Sequence, residues 1–289
     1  MENTTNKITV IIPAYNHEKY ILNCLESIHN QTYRNFQWIV VDDCSTDNTL
    51  KILQEKQKYY RYQLISHKKN SGISQTLTEV IRDYATGKYI ALCASDDFWD
   101  NRKIERQLAF MESHPEFAMC YGRTYYVDIS SKIIGTDDSR YYKGGFIFNE
   151  IITQRFHPPV NYMIKKEILE ELGFYTKGVV AEDFYMNCMI SYKYQIGYIP
   201  EFMGYYRVDP RHTNQMTYDV LMSHEYTINI FASDPIFKTA YKLHCLRCFS
   251  KLSAIKKYKF LSLKYLLRGR VFFSTDFVRG IYHLFFYWN

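Results

Sequence analysis

Two adjacent carboxylates, Asp96-Asp97, follow the apolar run Tyr89-Ile90-Ala91-Leu92-Cys93 and precede Phe98-Trp99-Asp100. The apolar run reads as a buried strand. A strand ending in two acids must deliver them to water, to a cation, or to both, because an unpaired charge is not stable in a core. Hard oxygen ligands of this kind suit Mg²⁺ or Mn²⁺, ions that commonly hold a diphosphate. Taken alone, the pair also serves as a solvated turn or a helix N-cap. Two more polar groups close apolar runs in the same manner: Tyr15-Asn16 after Ile8–Ile12 and Pro13-Ala14, and Asp42-Asp43 after Phe36–Val41. A fourth, Glu182-Asp183, stands just before the apolar-periodic segment Phe184, Met186, Cys188, Met189 and Ile190. There a helix N-terminus favoured by the dipole and a carboxylate held for catalysis are both open readings.

The elements that position these groups alternate. Ile8–Ile12, Phe36–Val41, Tyr62–Ser66 and Tyr89–Cys93 read as strands. Between them, Glu18–Asn30, the segment after the N-capping cluster Ser45-Thr46-Asp47, and Ile73–Tyr84 carry helical spacing. Alternation of this kind implies a parallel, doubly wound α/β sheet, whose ligands collect beyond the C-terminal strand ends. Three strand ends converging on one crevice say more than any single motif. No G-x-G-x-x-G follows the first strand and no P-loop is present, which weighs against a dinucleotide oxidoreductase. A calcium loop starting at Asp43 is excluded, because Asn48 and Gln54 occupy the positions that need Gly and Glu. Farther on, Arg123–Gly135 and Phe146–Phe156 read as short strands or irregular chain, Val160–Ile164 as a strand, and Lys165–Leu172 as a short helix ended by Gly173.

Aromatic residues make up 17% of the 289, with 28 Tyr, and such rings suit sugar faces as well as cores. Charge is uneven. Residues 238–289 hold eleven Lys/Arg and one acid, leaving 25 Lys/Arg against 29 Asp/Glu before them, a net of −4. A basic tail seeks anions. It combines a helical pattern over 251–269 with an aromatic run that includes Phe272, Phe273, Phe277, Tyr282, Phe285, Phe286, Tyr287 and Trp288. A bilayer interface and a helical appendage packed on the protein are equal readings of it; no nucleic-acid motif accompanies the charge. The seven Cys are odd in number and irregularly spaced, and the polar start Met1–Lys7 has no signal-peptide pattern. Free thiols in the cytosol are therefore expected. Cys245-x-x-Cys248 lacks a second ligand pair for zinc. No apolar run reaches the roughly 18–20 residues that span a bilayer.

Three blocks, Val10-Ile11-Ile12-Pro13-Ala14-Tyr15-Asn16, Val40-Val41-Asp42-Asp43-Cys44-Ser45-Thr46-Asp47 and Ser95-Asp96-Asp97-Phe98-Trp99, together resemble the signature blocks of family 2 glycosyltransferases. The resemblance continues at Lys103 and Gln107, at Glu182-Asp183 and at Tyr206-Arg207, and covers about the first 215 residues. It implies a GT-A fold: a Rossmann-like nucleotide-binding sheet (1–100) merged with an acceptor-binding half (101–216), followed here by a mainly helical C-terminal region (217–289). It also implies an inverting transfer of sugar from a nucleotide-sugar, expected to be a UDP-sugar, to a glycan or lipid-linked glycan, as in bacterial surface polysaccharide synthesis. Such an enzyme would work in the cytoplasm or on the inner face of the cytoplasmic membrane.

By that resemblance, Pro13, Ala14, Tyr15, Asn16, Asp43, Gly72, Ser95 and Asp96 would bind the donor nucleotide, Tyr15 by stacking and Asp43 by accepting a base N–H. Asp97, with Asp96, would hold a Mn²⁺ or Mg²⁺ ion. Asp183 would be the general base, Glu182 and Trp99 would meet the acceptor, and Arg207 with His212 would close on the diphosphate. The chain departs from the pattern at Thr76-Leu77-Thr78, where many relatives carry Arg-Asn, and His212 lies farther on than usual; Lys68 or Lys69 could supply the missing contact. Two rivals stand beside this reading. A nucleotidyltransferase would need a Gly-rich phosphate loop after the first strand. A non-catalytic glycan- or lipid-binding protein would have no need of Asp43, Asp96, Asp97 and Asp183 together.

Overall fold

Strands and helices alternate through the first hundred residues as their periodicity predicts. In the computed structural model, which describes residues 7–137, 142–209, 218–270 and 274–286, β1 (Ile8–Ala14), α1 (Ile21–His29), β2 (Phe36–Asp42), α2 (Thr49–Tyr60), β3 (Gln63–Ser66), α3 (Ile73–Asp83) and β4 (Tyr89–Leu92) follow in turn. Helix α1 buries Ile21, Cys24, Leu25 and Ile28, the i, i+3, i+4, i+7 stripe of an amphipathic helix. The four strands run parallel in the order β3-β2-β1-β4. Ala14 pairs with Asp42, and Asp42 with Ser66, so β1, β2 and β3 end level and their loops leave from one edge.

Beyond β4 come β5 (Phe98–Trp99), α4 (Lys103–Ser113), β6 (Phe117–Val127), β7 (Ile133–Thr136), α5 (Phe148–Ile152), β8 (Met163–Lys165), α6 (Lys166–Glu171), α7 (Glu182–Lys193) and β9 (Gln195–Arg207). The sheet continues β4-β8-β6-β9-β5, with β7 paired to β6, and becomes mixed: β8 is antiparallel to β4 and β6, β9 parallel to β6, and β5 antiparallel to β9. Two differences from the sequence reading stand out. Residues 123–127 belong to the long strand β6 and 133–135 to its hairpin partner β7, with a turn between them, and 148–152 are helical. The pairing of β6 with β9 slips where Gly122 pairs with Ile199 but Arg123 with Phe202. Pro200 brings no N–H to the ladder, so Pro200-Glu201 bulges. Gly122 accommodates the bulge, since a Cβ there would lie 2.8 Å from the Glu201 carbonyl oxygen.

Residues 1–147 with 158–214 form one compact unit, and 148–157 with 215–289 form a second. The first unit holds the entire sheet, and its largest core joins β1, β2 and β4 to α1 and α4 through Ile12, Leu25, Val40, Ala91 and Ile104. The second comprises α5, α8 (Tyr218–Ile230), α9 (Phe237–Leu252), α10 (Lys259–Gly269) and α11 (Thr275–Phe286). Segment 148–157 thus groups with the C-terminal helices and not with the sheet. Leu221, Cys245, Cys248, Leu252 and Tyr265 form that unit's core. The helix expected over 251–269 is broken by a 3-10 turn at Lys256–Tyr258, where Tyr258 stacks on Tyr218 with centroids 4.8 Å apart. His244 Nε2 lies 3.2 Å from Cys248 Sγ, and burial holds the imidazole neutral by lowering its pKa to about 4. All seven cysteines are free. Among the described residues no helix is long and apolar enough to cross a membrane.

Candidate active site

Beyond the ends of β1, β2 and β4 lies a cavity of about 440 Å³ lined by Pro13, Ala14, Tyr15, His17, Asp43, Asn70, Gly72, Ile73, Thr76, Ala94 and Ser95. Six of the eight residues expected at the donor nucleotide therefore share one pocket. Its Tyr15 ring is exposed and open to stacking. Gly72 sits at φ +79 with no atom within 4 Å of where a Cβ would stand, so the pocket floor is open there and the backbone conformation favours glycine. Thr76 supplies a buried Oγ1 without a hydrogen-bond partner; it occupies part of the stretch where the sequence departs from the family pattern.

Asn16 is not in this pocket. Its φ is +57, its N–H donates to Ser45 Oγ at 3.0 Å, and its Oδ1 accepts from the Thr46 N–H at 2.8 Å. It ties the loop after β1 to the loop after β2. Asp43 is buried at the base of both. Its Oδ1 lies 2.7 Å from His67 Nδ1 and accepts from the Ser71 N–H at 2.8 Å, and its Oδ2 accepts from the Gly72 N–H at 2.9 Å. A carboxylate has about four acceptor positions, so Oδ2 keeps one beside the cavity. The contacts gripping the loop before α3 come from His67, Ser71 and Gly72. Nothing in the sequence beyond the position of His67 at the end of β3 announced it.

The acidic pair divides. Asp96 is one-third exposed and lines a second cavity of about 420 Å³ together with Tyr15, Asn16, His17, Glu18, Lys19, Tyr20, Asp47 and Asp209. Asp97 turns inward: its N–H donates to the Ala94 carbonyl at 3.0 Å and its Oδ1 accepts from the Arg207 N–H at 2.8 Å. Burial, and then the neighbouring Asp96 charge, push the Asp97 carboxyl well above the usual carboxylate range. Two adjacent acids with this strain in their charging fit a divalent cation, which would relieve it. His17 fits as well, with Nε2 3.9 Å from Asp96 Oδ2.

Two residues expected at the ligands lie outside both of these cavities. Arg207 is buried, and its guanidinium donates to the carbonyls of Asp96 and Asp128, each at 2.8 Å, and to Ser131 Oγ at 3.0 Å, over the Tyr20 ring. It holds loops together; it does not line either cavity. Trp99 is buried too, with the Lys103 ammonium 3.6 Å from its ring centroid. Lys103 in turn donates to Gln107 Oε1 at 2.7 Å, and Gln107 Nε2 to the Asn161 carbonyl at 2.8 Å. Burial lowers the Lys103 pKa to about 7. These residues build a buried strut under β5. His212 lies outside the described residues.

Glu182 and Asp183 form the first turn of α7. Burial and then Asp183 raise the Glu182 carboxyl to about 8. Tyr206, at the end of β9, stands in the field of both acidic pairs. Its phenol is raised by burial and then by the charges of Asp97, Asp96 and Asp183, so all three carboxylates act on one hydroxyl. The sequence offered Tyr206 only as the neighbour of Arg207.

The profile of glycosyl transferase family 2 matches residues 9–173. An uncharacterized glycosyltransferase of Methanocaldococcus jannaschii is 30% identical over 214 residues, 71% of each chain. A Bacillus subtilis protein named as glycosyltransferase EpsE is 38% identical over 117 residues, 40% of this chain and 42% of that one, so the match spans less than half of that relative's length. Among solved structures, S. aureus TarS in complex with UDP-GlcNAc superposes with a TM-score of 0.66 at 18% identity, covering 96% of this chain and 81% of that one. The mannosyltransferase PcManGT from Pyrobaculum calidifontis, in complex with GDP-Man and Mn²⁺, does so with 0.62 at 18% identity, covering 96% and 79%. Both show the GT-A fold. With its matched profile over more than half of the sequence, the chain belongs to glycosyl transferase family 2.

Proposed function

We propose that the chain is an inverting glycosyltransferase that moves a sugar from a UDP-sugar to a hydroxyl of a glycan or lipid-linked glycan in surface polysaccharide synthesis. One observation carries this reading: Pro13, Ala14, Tyr15, Asp43, Gly72 and Ser95 surround a single cavity, with Asp96 opening the adjoining one. The cavity volume is in the range of about 300–1,000 Å³ usual for small-molecule sites. Tyr15 stacks on the base and the remaining acceptor position of Asp43 Oδ2 takes a base N–H. Asp96 and the buried Asp97 behind it carry the charge that holds a divalent ion. When bound, that ion neutralises the charge growing on the departing diphosphate. Asp183 removes the proton of the acceptor hydroxyl as the oxygen attacks the anomeric carbon opposite the leaving group. Burial and then Asp183 push the Glu182 carboxyl up to about 8, so Glu182 bears its proton at neutral pH and the base role falls to Asp183. TarS bound to UDP-GlcNAc and PcManGT bound to GDP-Man with Mn²⁺ lend support at the level of donor class.

In the second unit, Phe260, Leu267, Val278, Tyr282, Phe285 and Phe286 are exposed on α10 and α11, within the strongly basic 238–289 segment. An anionic bilayer fits this combination of charge and aromatic surface, and it would bring the chain to a lipid-linked acceptor.

Thermal-shift measurement with UDP, GDP, CDP and dTDP, each with Mn²⁺ and with EDTA, tests the donor reading. Stabilisation by UDP that requires Mn²⁺ is expected. Stabilisation by another diphosphate changes the donor, and none with any of them refutes the nucleotide site.

A further inference from the structure

His17 lines both cavities, and no sequence motif assigns it a task. Its place is fixed at the backbone: its N–H donates to Thr49 Oγ1 at 2.9 Å, and its carbonyl accepts from the N–H groups of Tyr20 and Ile21, both at 3.0 Å. Its ring is fixed as well. Nδ1 lies 2.7 Å from the Oγ of Ser95, a residue only 1% exposed, while Nε2 faces Asp96 Oδ2 at 3.9 Å. An imidazole with one nitrogen anchored by a buried partner and the other directed at a carboxylate is the arrangement of a metal-binding histidine. The separation is within reach of one ion: ligand atoms about 2.1 Å from an octahedral ion lie about 3.0 Å apart when adjacent, so the two side chains need close by only about an ångström from their 3.9 Å.

We propose that His17 Nε2 and Asp96 Oδ2 are joint ligands of the divalent cation, with Ser95 as the positioning residue that turns Nε2 toward it. Two protein ligands suffice where a diphosphate supplies further oxygens. Among the described residues no three His, Cys, Asp or Glu gather to hold an ion unaided, so the site forms fully only with the nucleotide present. An imidazole nitrogen is a poor ligand for Mg²⁺ and an acceptable one for a first-row transition ion. The site therefore selects Mn²⁺ over Mg²⁺. This inference rests on the donor-site reading above.

Pulsed EPR of the full chain with Mn²⁺ and UDP tests it without reference to turnover. The wild type should show ¹⁴N coupling to Mn²⁺ that Mn²⁺–UDP alone lacks. The coupling should vanish in His17→Gln and persist in His212→Gln and Ser95→Ala. Mn²⁺ affinity of the UDP complex should fall roughly 10–100-fold in His17→Gln and in Ser95→Ala, with melting in metal-free buffer close to wild type. Mn²⁺–UDP bound by the wild type without nitrogen coupling, or coupling that survives in His17→Gln, overturns the proposal and leaves the donor site standing. Should His17→Gln fail to fold, the wild-type spectrum and Ser95→Ala still decide. No binding of Mn²⁺–UDP by the wild type overturns both.

Discussion

Asp43→Asn separates two jobs that one carboxylate performs. In the wild type the carboxylate meets His67, Ser71 and Gly72 at 2.7, 2.8 and 2.9 Å. The amide keeps one oxygen, which can still meet His67 and Ser71 as a neutral acceptor. Its NH₂ group then faces the Gly72 N–H, so one bond is lost to a donor–donor contact. The Gly72 N–H keeps its second acceptor, Asn70 Oδ1 at 3.1 Å, so the loss is that of one hydrogen bond to a charged group, about 1.5–3 kcal/mol. At about 2–4 °C per kcal/mol this lowers Tm by roughly 3–12 °C. The second job is the contact to the base. Losing a charge-assisted bond of about 1.5–3 kcal/mol should weaken UDP binding by roughly 10–150-fold. His67→Ala is the control: it removes one loop contact and should lower Tm while leaving UDP affinity near wild type. Differential scanning fluorimetry reads the first effect and isothermal titration the second. An unchanged Tm in Asp43→Asn would refute the loop-holding role, and an unchanged Kd at intact fold would refute the base contact.

Other expectations can be checked alongside. Asp183→Asn should lower transfer by about 10²–10⁴-fold, whereas Glu182→Gln, which copies the proton-bearing acid, should stay near wild type at pH 7; equal losses in the two would remove the distinction between them. Lys103 releases its proton near 7 in the folded chain but holds it to the ordinary 10.5 when unfolded. The unfolded state therefore binds more protons between these values and stability should climb as pH rises from 7 to 10. Lys103→Met should lack that climb in urea titrations, and parallel pH curves would disprove the buried, low-pKa amine. Vesicles of anionic lipid should co-sediment the chain at low salt, neutral vesicles should not, and Phe260→Ser with Phe285→Ser should abolish the association; indifference to lipid charge would refute the bilayer contact.

The first half of the sheet was legible because parallel strands buried on both faces read as apolar runs, each interrupted once, by Thr9 in Ile8–Ile12 and by Gln37 in Phe36–Val41. The second half was not. Strand β9 contains Gly197, Pro200 and Glu201, residues that break a strand pattern, and the fold absorbs them as a bulge opposite Gly122. At the site, sequence located the loops but not the direction of each side chain. Asp96 and Asp97 are neighbours, yet one faces the cavity and the other faces Arg207. His17 and His67 carry no pattern of their own; only the distances to Ser95, Asp96 and Asp43 reveal what they hold.

Arg207, Trp99, Lys103 and Gln107 show how motif residues can serve the turn that carries the acidic pair. A turn that places Asp96 at the cavity must also dispose of Asp97, and the chain does so by pairing Asp97 Oδ1 with the Arg207 N–H while the Arg207 side chain binds the Asp96 carbonyl. One residue thus fixes both members of the acidic pair, one through its backbone and one through its guanidinium. The same guanidinium reaches Asp128 and Ser131 and covers Tyr20, so the loops after β1, β4 and β6 share a single anchor. Beneath them, Lys103 spans from the Trp99 ring to Gln107, and Gln107 continues to Asn161. Buried polar chains of this kind are costly unless every member is partnered. Their cost is met here by a turn whose carboxylate directions would otherwise be free to exchange, and a cation held by Asp96 needs that choice made before it arrives.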